Sequence, residues 1–218
     1  AEASEGVRRH VRAPRFLVRN PVPPRWHLAT AQDRAAAREA LDLPQAAPIV
    51  TCVGRFSRQK GQDSLIDAWR LVSKELPDAR LLLVGDGPTG DDLRNRAPAT
   101  VIFTGATNDP RPFLAACDVA ALPSRWEGLS LSMLEAMASG RSVVTTAVAG
   151  SEVVADSDCG AVVPVDEPQA FARALLPRLS GLIEADVEGR RGHQYVIDHH
   201  DFATQMARFA AVIAEAHP

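Results

Sequence analysis

The sequence predicts an α/β fold, a Rossmann-like parallel sheet flanked by helices, and three observations carry that expectation. Short runs of apolar and β-branched residues recur, as in PIVTCV, RLLLV and TVIF, with the unbroken hydrophobicity of strands buried on both faces. Between them lie stretches whose apolar residues fall at helical spacing, so strand and helix alternate along the chain. The apolar runs feed into loops rich in glycine, proline and polar residues, which suits right-handed crossovers between parallel strands.

The first residues, AEASEGVRRHVRAP, are polar and bear arginine, so 1–14 reads as a linker. RFLV at 15–18 is a short β-prone run, closed by Asn20-Pro21 and Pro23-Pro24, which cannot continue a central strand. Residues 32–41 favour helix, and Leu43-Pro44 ends it. A buried strand is expected over 48–53 and runs into Gly54. Leu65, Ile66, Trp69, Leu71 and Val72 then give 62–75 a helical period that Pro77 stops. A second strand, 80–84, precedes the turn Gly85-Asp86-Gly87-Pro88; a short helix over 91–97 and a strand over 100–103 follow. The alternation continues through a helix near 113–117, a strand at 119–122, a helix at 131–138 with Gly140 where a C-cap belongs, and a strand at 142–146. A last strand, 160–163, leads to a helix opened by Pro168 and running to about 179. From Asp186 onward the chain reads as helices only. Phe202, Met206, Phe209, Val212 and Ile213 form an apolar stripe that needs a surface to cover. We therefore divide the chain into the linker, a Rossmann-like domain over 15–182 and C-terminal helices over 183–218 that pack on it; the resemblance given below implies that the middle one binds a nucleotide sugar.

Composition sets limits on function. With 218 residues and 46% hydrophobic content, the chain can bury the core of one domain. A formal charge of −3 with scattered arginines leaves no nucleic-acid or membrane-surface footprint. No apolar run approaches the roughly 20 residues of a transmembrane helix, and no charged-then-apolar leader is present, so a cytoplasmic location is expected. Cys52, Cys117 and Cys159 lack metal-ligand spacing and are odd in number, and they read as reduced core thiols.

In open parallel sheets, ligands bind beyond the carboxyl ends of the strands, so the loops there are the ones to inspect. GRFSRQKG at 54–61 sets Arg55, Arg58 and Lys60 between a strand and a helix N-terminus, where amides and the helix dipole suit phosphate. Lys60 is one of only two lysines, and a compact point charge beside glycines suits a phosphate; a solvated basic turn explains the loop equally well. The turn at 85–88 lacks the third glycine and the downstream acid of a dinucleotide fingerprint, which disfavours NAD. The loop at 104–109 could take a base near Ala106 and Thr107, or be an ordinary turn. Finally, WEGLSLSMLEAMASG carries Glu127 and Glu135 with seven residues between them, and the amides of Gly128, Leu129 and Ser130 at a helix start. Glu127 reads as loop-borne and mobile, Glu135 as fixed to the helix. Their separation is at most roughly 12 Å at a helical rise. Two exposed glutamates on a surface helix would give the same spacing.

Taken in order, GRFSRQKG, LLLVGDGP, VIFTGATND and EGLSLSMLEAMASGRSVVTT resemble the donor-binding C-terminal half of retaining GT-B glycosyltransferases, the family 4 type with a Glu-x7-Glu motif. The likeness covers residues 16–179. It implies one half of a GT-B fold, binding a nucleotide-diphosphate sugar as donor for transfer to an acceptor held by an N-terminal domain absent from this sequence. By the same resemblance Arg55 and Lys60 hold the diphosphate, Glu135 the ribose, and Glu127 with the amides of Gly128, Leu129 and Ser130 the donor sugar and its phosphate. Ala106 and Thr107 would take the base, and neither a metal nor a cofactor is implied. Pro21 stands where the family has a glycine, and AVAGSEVV is one residue shorter than the usual form around Glu152. A stand-alone nucleotide-sugar-binding module without transferase activity is the alternative. A glycogen-type phosphorylase is disfavoured, because neither Lys60 nor Lys74 sits in a matching motif.

Overall fold

The computed structural model describes residues 17–216. Six parallel strands form one sheet: β1 (Ile49–Val53), β2 (Arg80–Val84), β3 (Val101–Gly105), β4 (Val119–Leu122), β5 (Ser142–Thr146) and β6 (Gly160–Val163), in the order β3-β2-β1-β4-β5-β6. Thr51 stands opposite Leu82 on one side and Ala120 on the other, so β1 is central and paired along both edges. The order reverses between β1 and β4, which places a crevice outside their carboxyl ends.

Because successive side chains in a strand point to opposite faces, the apolar runs supply two cores. On one face Ile49, Leu82 and Val143 pack beneath α1 (Ala31–Ala40), α4 (Arg111–Ala116), α5 (Leu131–Ala138) and α8 (Leu182–His200). On the other, Val50, Leu83 and Val144 meet α2 (Gln62–Glu75), α3 (Gly90–Arg96) and α7 (Pro168–Ser180). Leu65, Ile66, Trp69 and Val72 of α2 are fully buried, and Trp69 donates through Nε1 to Thr100 Oγ1 at 3.0 Å. Thr30 caps α1, accepting from the Asp33 amide at 3.1 Å while the Asp33 carboxylate accepts from the Thr30 amide at 2.8 Å.

At the amino ends of β1 and β4, Asp118 is buried with the charges of Arg34 and Arg38 against it. Its carboxylate accepts from Arg34 at 2.5 Å, from Arg38 at 3.1 Å and from the Ile49 amide at 2.8 Å. Arg38 spends its other donors on the carbonyls of Ala116, Gln45 and Ala47. This ion cluster ties α1 to the two central strands, on the side of the sheet away from the crevice.

Three expectations change. Leu17 and Val18 form no strand: Leu17 is 75% exposed, and the first extended pairing is an isolated bridge between Val22 and Asp201. Arg15 and Phe16, like the whole 1–14 segment, lie outside the described residues. A five-residue helix, α6 (Glu152–Asp156), which the sequence pattern does not announce, follows β5, with Glu152 itself exposed. In α9 (Phe202–Ala216) the described side chain that is buried is Gln205, held between the Arg19 amide and the His199 carbonyl. Phe202, Phe209 and Ile213 of the expected stripe are exposed, and Met206 and Val212 are half-buried.

Candidate functional site

The loops at the carboxyl edge of the sheet are bonded to one another. The Gly54 amide donates to Val84 O and the Phe56 amide to Asp86 O, both at 2.9 Å, which lays the loop after β1 against the loop after β2. On its other side, the Arg125 amide donates to Gln59 O at 2.7 Å, and Gln59 Nε2 donates to Trp126 O at 3.0 Å. A short 3-10 turn (Arg58–Lys60) ends at Gly61, whose φ of 66° starts α2. A Cβ at Gly61 would lie 2.0 Å from Pro123 O, so only glycine lets the two loops touch there.

That contact brings together charges 67 positions apart. Lys60 Nζ lies 2.5 Å from Glu127 Oε1, and Ser124 Oγ donates to the same oxygen at 2.9 Å. Glu127 is 12% exposed and Lys60 25%. The expectation of a mobile Glu127 is thus corrected: two donors and burial hold it in place. One small cavity beside Glu127 and one beside Lys60 are each about 10 Å³.

Gly128 is exposed, Leu129 half-buried and Ser130 buried, and they lead into α5. The Ser130 hydroxyl meets the Ser132 hydroxyl at 3.0 Å instead of capping the helix, which leaves the first amides of α5 without a side-chain acceptor. Gly150, with φ of 85°, supports this segment: a Cβ there would lie 2.3 Å from Gly128 O. The Thr146 hydroxyl donates to Ser124 O from below.

The remaining candidates are more spread. Arg55 is exposed just after β1, and its guanidinium makes no ion pair or hydrogen bond among the described residues, whereas its carbonyl accepts from Gln62 Nε2 at 3.0 Å. Glu135 lies half-buried on the second turn of α5 with no hydrogen bond to its carboxylate among the described residues; burial raises its pKa, and the charge of Arg25 partly opposes that. Ala106 and Thr107 are exposed beyond β3, where Thr107 Oγ1 accepts from the Asp109 amide at 3.0 Å. A cleft of about 370 Å³ opens beside that loop, lined among others by Arg25, Trp26, His27, Asp109, Arg111 and Ser139. The fold therefore joins Lys60 to Glu127, with Gly128–Ser130 following Glu127 in the same loop; Arg55 lies on the loop of Lys60, Glu135 on α5 and Ala106–Thr107 beyond β3. Sequence reasoning missed Ser124, Arg125 and Arg25. Ser124 and Arg125, the second and third residues past β4 at a carboxyl edge, carried a positional signal; Arg25 carried none.

Beneath Lys60, burial pushes the Cys52 thiol up to about 12, and Cys117 and Cys159 are pushed up to about 11, so all three are buried, free and poorly nucleophilic. Among the described residues no group of three or more His, Cys, Asp or Glu side chains is arranged to hold a metal ion, and no helix is long and apolar enough to cross a membrane.

A six-stranded parallel sheet of this order, with its charged residues at the reversal point, is a Rossmann-like domain that matches the C-terminal domains of GT-B glycosyltransferases. A family model described as "Glycosyl transferases group 1" matches residues 47–180, and the chain belongs to that family. It is 36% identical over 169 residues to the lipopolysaccharide core biosynthesis glycosyltransferase LpsE of Rhizobium meliloti, an alignment covering 75% of this chain and 48% of LpsE. Sucrose-phosphate synthase from Thermosynechococcus elongatus superposes with a TM-score of 0.83 at 27% identity, over 99% of this chain and 56% of that one. Anabaena Alr3699/HepE, solved in complex with UDP-glucose, shares the fold with a TM-score of 0.82 at 23% identity, over 91% of this chain and 57% of its own. The chain thus spans about half the length of LpsE.

Proposed function

We propose that this chain is the donor-binding half of a retaining glycosyltransferase of the family 4, Glu-x7-Glu type, and that it holds a nucleotide-diphosphate sugar for transfer to an acceptor bound by an N-terminal domain. The observation that carries the proposal is the meeting of Lys60 and Glu127 at the β1–β4 reversal, beside uncapped helix amides and the unpaired Arg55. A nucleotide sugar is an elongated ligand, and from β3 to β4 there are three inter-strand spacings, roughly 14 Å at about 4.8 Å each. The base would lie by Ala106 and Thr107, next to the 370 Å³ cleft, the ribose against Glu135, and the diphosphate over Arg55, Lys60 and the amides of Gly128, Leu129 and Ser130. UDP-glucose in the fold relative Alr3699/HepE supports a ligand of this class.

Transfer breaks the bond between the anomeric carbon and the phosphate oxygen, so negative charge grows on the departing diphosphate and positive charge on the sugar ring. Fixed cations and helix amides stabilise the first without reorganising. Glu127, held by Lys60 and Ser124, orients the sugar and offsets the second. We assign it no nucleophilic role. The exposed Phe202 and Phe209 of α9 suit an N-terminal domain returning onto this face, and three buried free thiols suit a reducing, cytoplasmic compartment.

Calorimetry with UDP, GDP, ADP and dTDP tests the proposal. One of the four is expected to bind, and Arg55→Ala to weaken the diphosphate by about 1.5–3 kcal/mol while leaving its nucleoside nearly unchanged, as loss of a hydrogen bond to a charged group requires. Absence of binding, or equal losses for both ligands, would overturn it.

A further inference from the structure

Arg125 sits two residues before Glu127 and makes no hydrogen bond or ion pair to Glu127 or Lys60 among the described residues, yet every nitrogen of its guanidinium is engaged. Nε donates to Asp166 Oδ2 at 2.9 Å and Nη2 reaches Asp166 Oδ1 at 2.8 Å. Nη1 and Nη2 donate to the two oxygens of Asp63, each at 2.9 Å, and Nη1 also donates to Arg58 O at 2.8 Å. Four hydrogen bonds and one further ion-pair contact thus engage all three nitrogens, with the side chain only 16% exposed. The acceptors come from three places: the 3-10 turn that ends in Lys60, the first turn of α2, and the loop between β6 and α7. The Arg125 amide adds the bond to Gln59 O. Its side chain and backbone therefore fasten the segment 58–63 to the segment that carries Glu127.

We propose that Arg125 is a positioning residue for diphosphate recognition: it sets the spacing between the loop of Lys60 and the loop of Glu127, so that Lys60 is held as a fixed cation at the crevice. The inference rests on the donor-binding function proposed above. Its geometry demands a fork, because two carboxylates and a carbonyl are met by three nitrogens of one side chain; lysine, with a single ammonium, cannot span them. The burden on Arg125 is also mechanical and not only ionic. Asp166 is 50% exposed and Asp63 34%, and isolated pairs this accessible contribute little to stability. What the arrangement supplies is a fixed distance between two loops that share no strand pairing of their own.

The test uses the 218-residue chain and whichever of UDP, GDP, ADP and dTDP it binds, with the matching nucleoside as control. Arg125→Lys and Arg125→Ala are both expected to weaken the diphosphate about tenfold and the nucleoside hardly at all, as when one charged hydrogen bond loses its geometry. In a Lys60→Met background neither change should weaken the diphosphate further. Lys60 and Lys74 are the only lysines, so a proton–nitrogen spectrum of side-chain ammonium groups reads the Lys60–Glu127 contact directly: the Lys60 signal should move or vanish in Arg125→Ala, while that of Lys74 stays. Equal losses for nucleoside and diphosphate, additive losses with Lys60→Met, or an unmoved Lys60 signal would each overturn the proposal. If the wild-type chain binds none of the four nucleotides, the donor function fails, and the ammonium spectrum still decides what Arg125 does. Should Arg125→Ala not fold, Arg125→Lys and Asp166→Asn give the same readings.

Discussion

Glu127→Gln keeps the shape of the side chain and removes its charge, and on the proposed site its contact with Lys60 gives the expected direction of its effect on phosphate binding. Lys60 and Glu127 are 2.5 Å apart and 25% and 12% exposed, so the ammonium that faces the crevice is already neutralised by a carboxylate. A diphosphate arriving there shares that ammonium. With glutamine in place the ammonium is unshared, and the contact gains the difference between a hydrogen bond to a half-neutralised group and one to a full charge, about 1 kcal/mol. That corresponds to nucleoside diphosphate binding about fivefold tighter in the variant. On the role proposed for Glu127 beside the sugar ring, transfer of the sugar should nevertheless fall. Lys60→Met should weaken the same ligand by about 1.5–3 kcal/mol, roughly 10- to 150-fold. In the double variant the gain from Glu127→Gln should vanish, because its cause was Lys60. The assay is calorimetry at low and high salt; the gain should shrink with salt as a partly exposed charge is screened. Weaker diphosphate binding by Glu127→Gln, or a gain that persists without Lys60, would refute the reasoning.

Two further outcomes are expected. Glu135→Ala should weaken a nucleoside and its diphosphate alike, by about 1–3 kcal/mol if the carboxylate holds ribose hydroxyls, and calorimetry showing unchanged affinity for both would count against that assignment. Its titration adds a stability effect. Burial raises the Glu135 carboxyl pKa, with Arg25 opposing, so the native state holds this proton more tightly than the unfolded chain. The stability that protonation confers is present below the unfolded value of about 4.3 and is lost as pH rises through the native one. Glu135→Gln should therefore be the more stable protein at neutral pH in chemical denaturation, with the gap closing in acid; a gap that widens in acid would contradict the burial. Away from the site, Asp118→Asn removes the counter-charge of Arg38, which is 3% exposed, and of Arg34. It should cost about 3–5 kcal/mol in urea unfolding, as expected when one partner of a buried ion pair is lost, whereas a cost below about 1 kcal/mol would mean that the backbone carbonyls around Arg38 suffice.

The fold was legible where the chain is apolar on both sides of a strand. β4, β5 and β6, and the helices α2 and α5, lie where the apolar runs and their punctuation by Pro77 and Gly140 put them. In α6, Glu152, Val153, Val154, Ala155 and Asp156 make barely one turn, too short for a helical period to show. Leu17 and Val18 have β propensity, but no neighbouring edge accepts them, and tertiary context overrides propensity in strands. The stripe of α9 was visible as a pattern, and the pattern could not say that Gln205 would take the buried position.

The candidate site divides along the same line. That loops 54–61, 104–109 and 123–130 would stand at the carboxyl ends of strands follows from the alternation alone. Which loops become neighbours depends on strand order, and no local pattern encodes that β1 lies between β2 and β4. Glu127 therefore looked mobile from its flanking Gly128 and Ser130, when its partners were Ser124, three positions back, and Lys60, 67 positions back. The same ordering makes Arg125 consequential. A residue that looks like one more scattered arginine in the sequence lies at the seam where the chain reverses its direction of winding, and there all three nitrogens of its guanidinium are engaged. Charge at such a seam serves ligand binding only if its spacing is held fixed. The side chains that fix the spacing are then as much a part of the site as those that would touch the ligand.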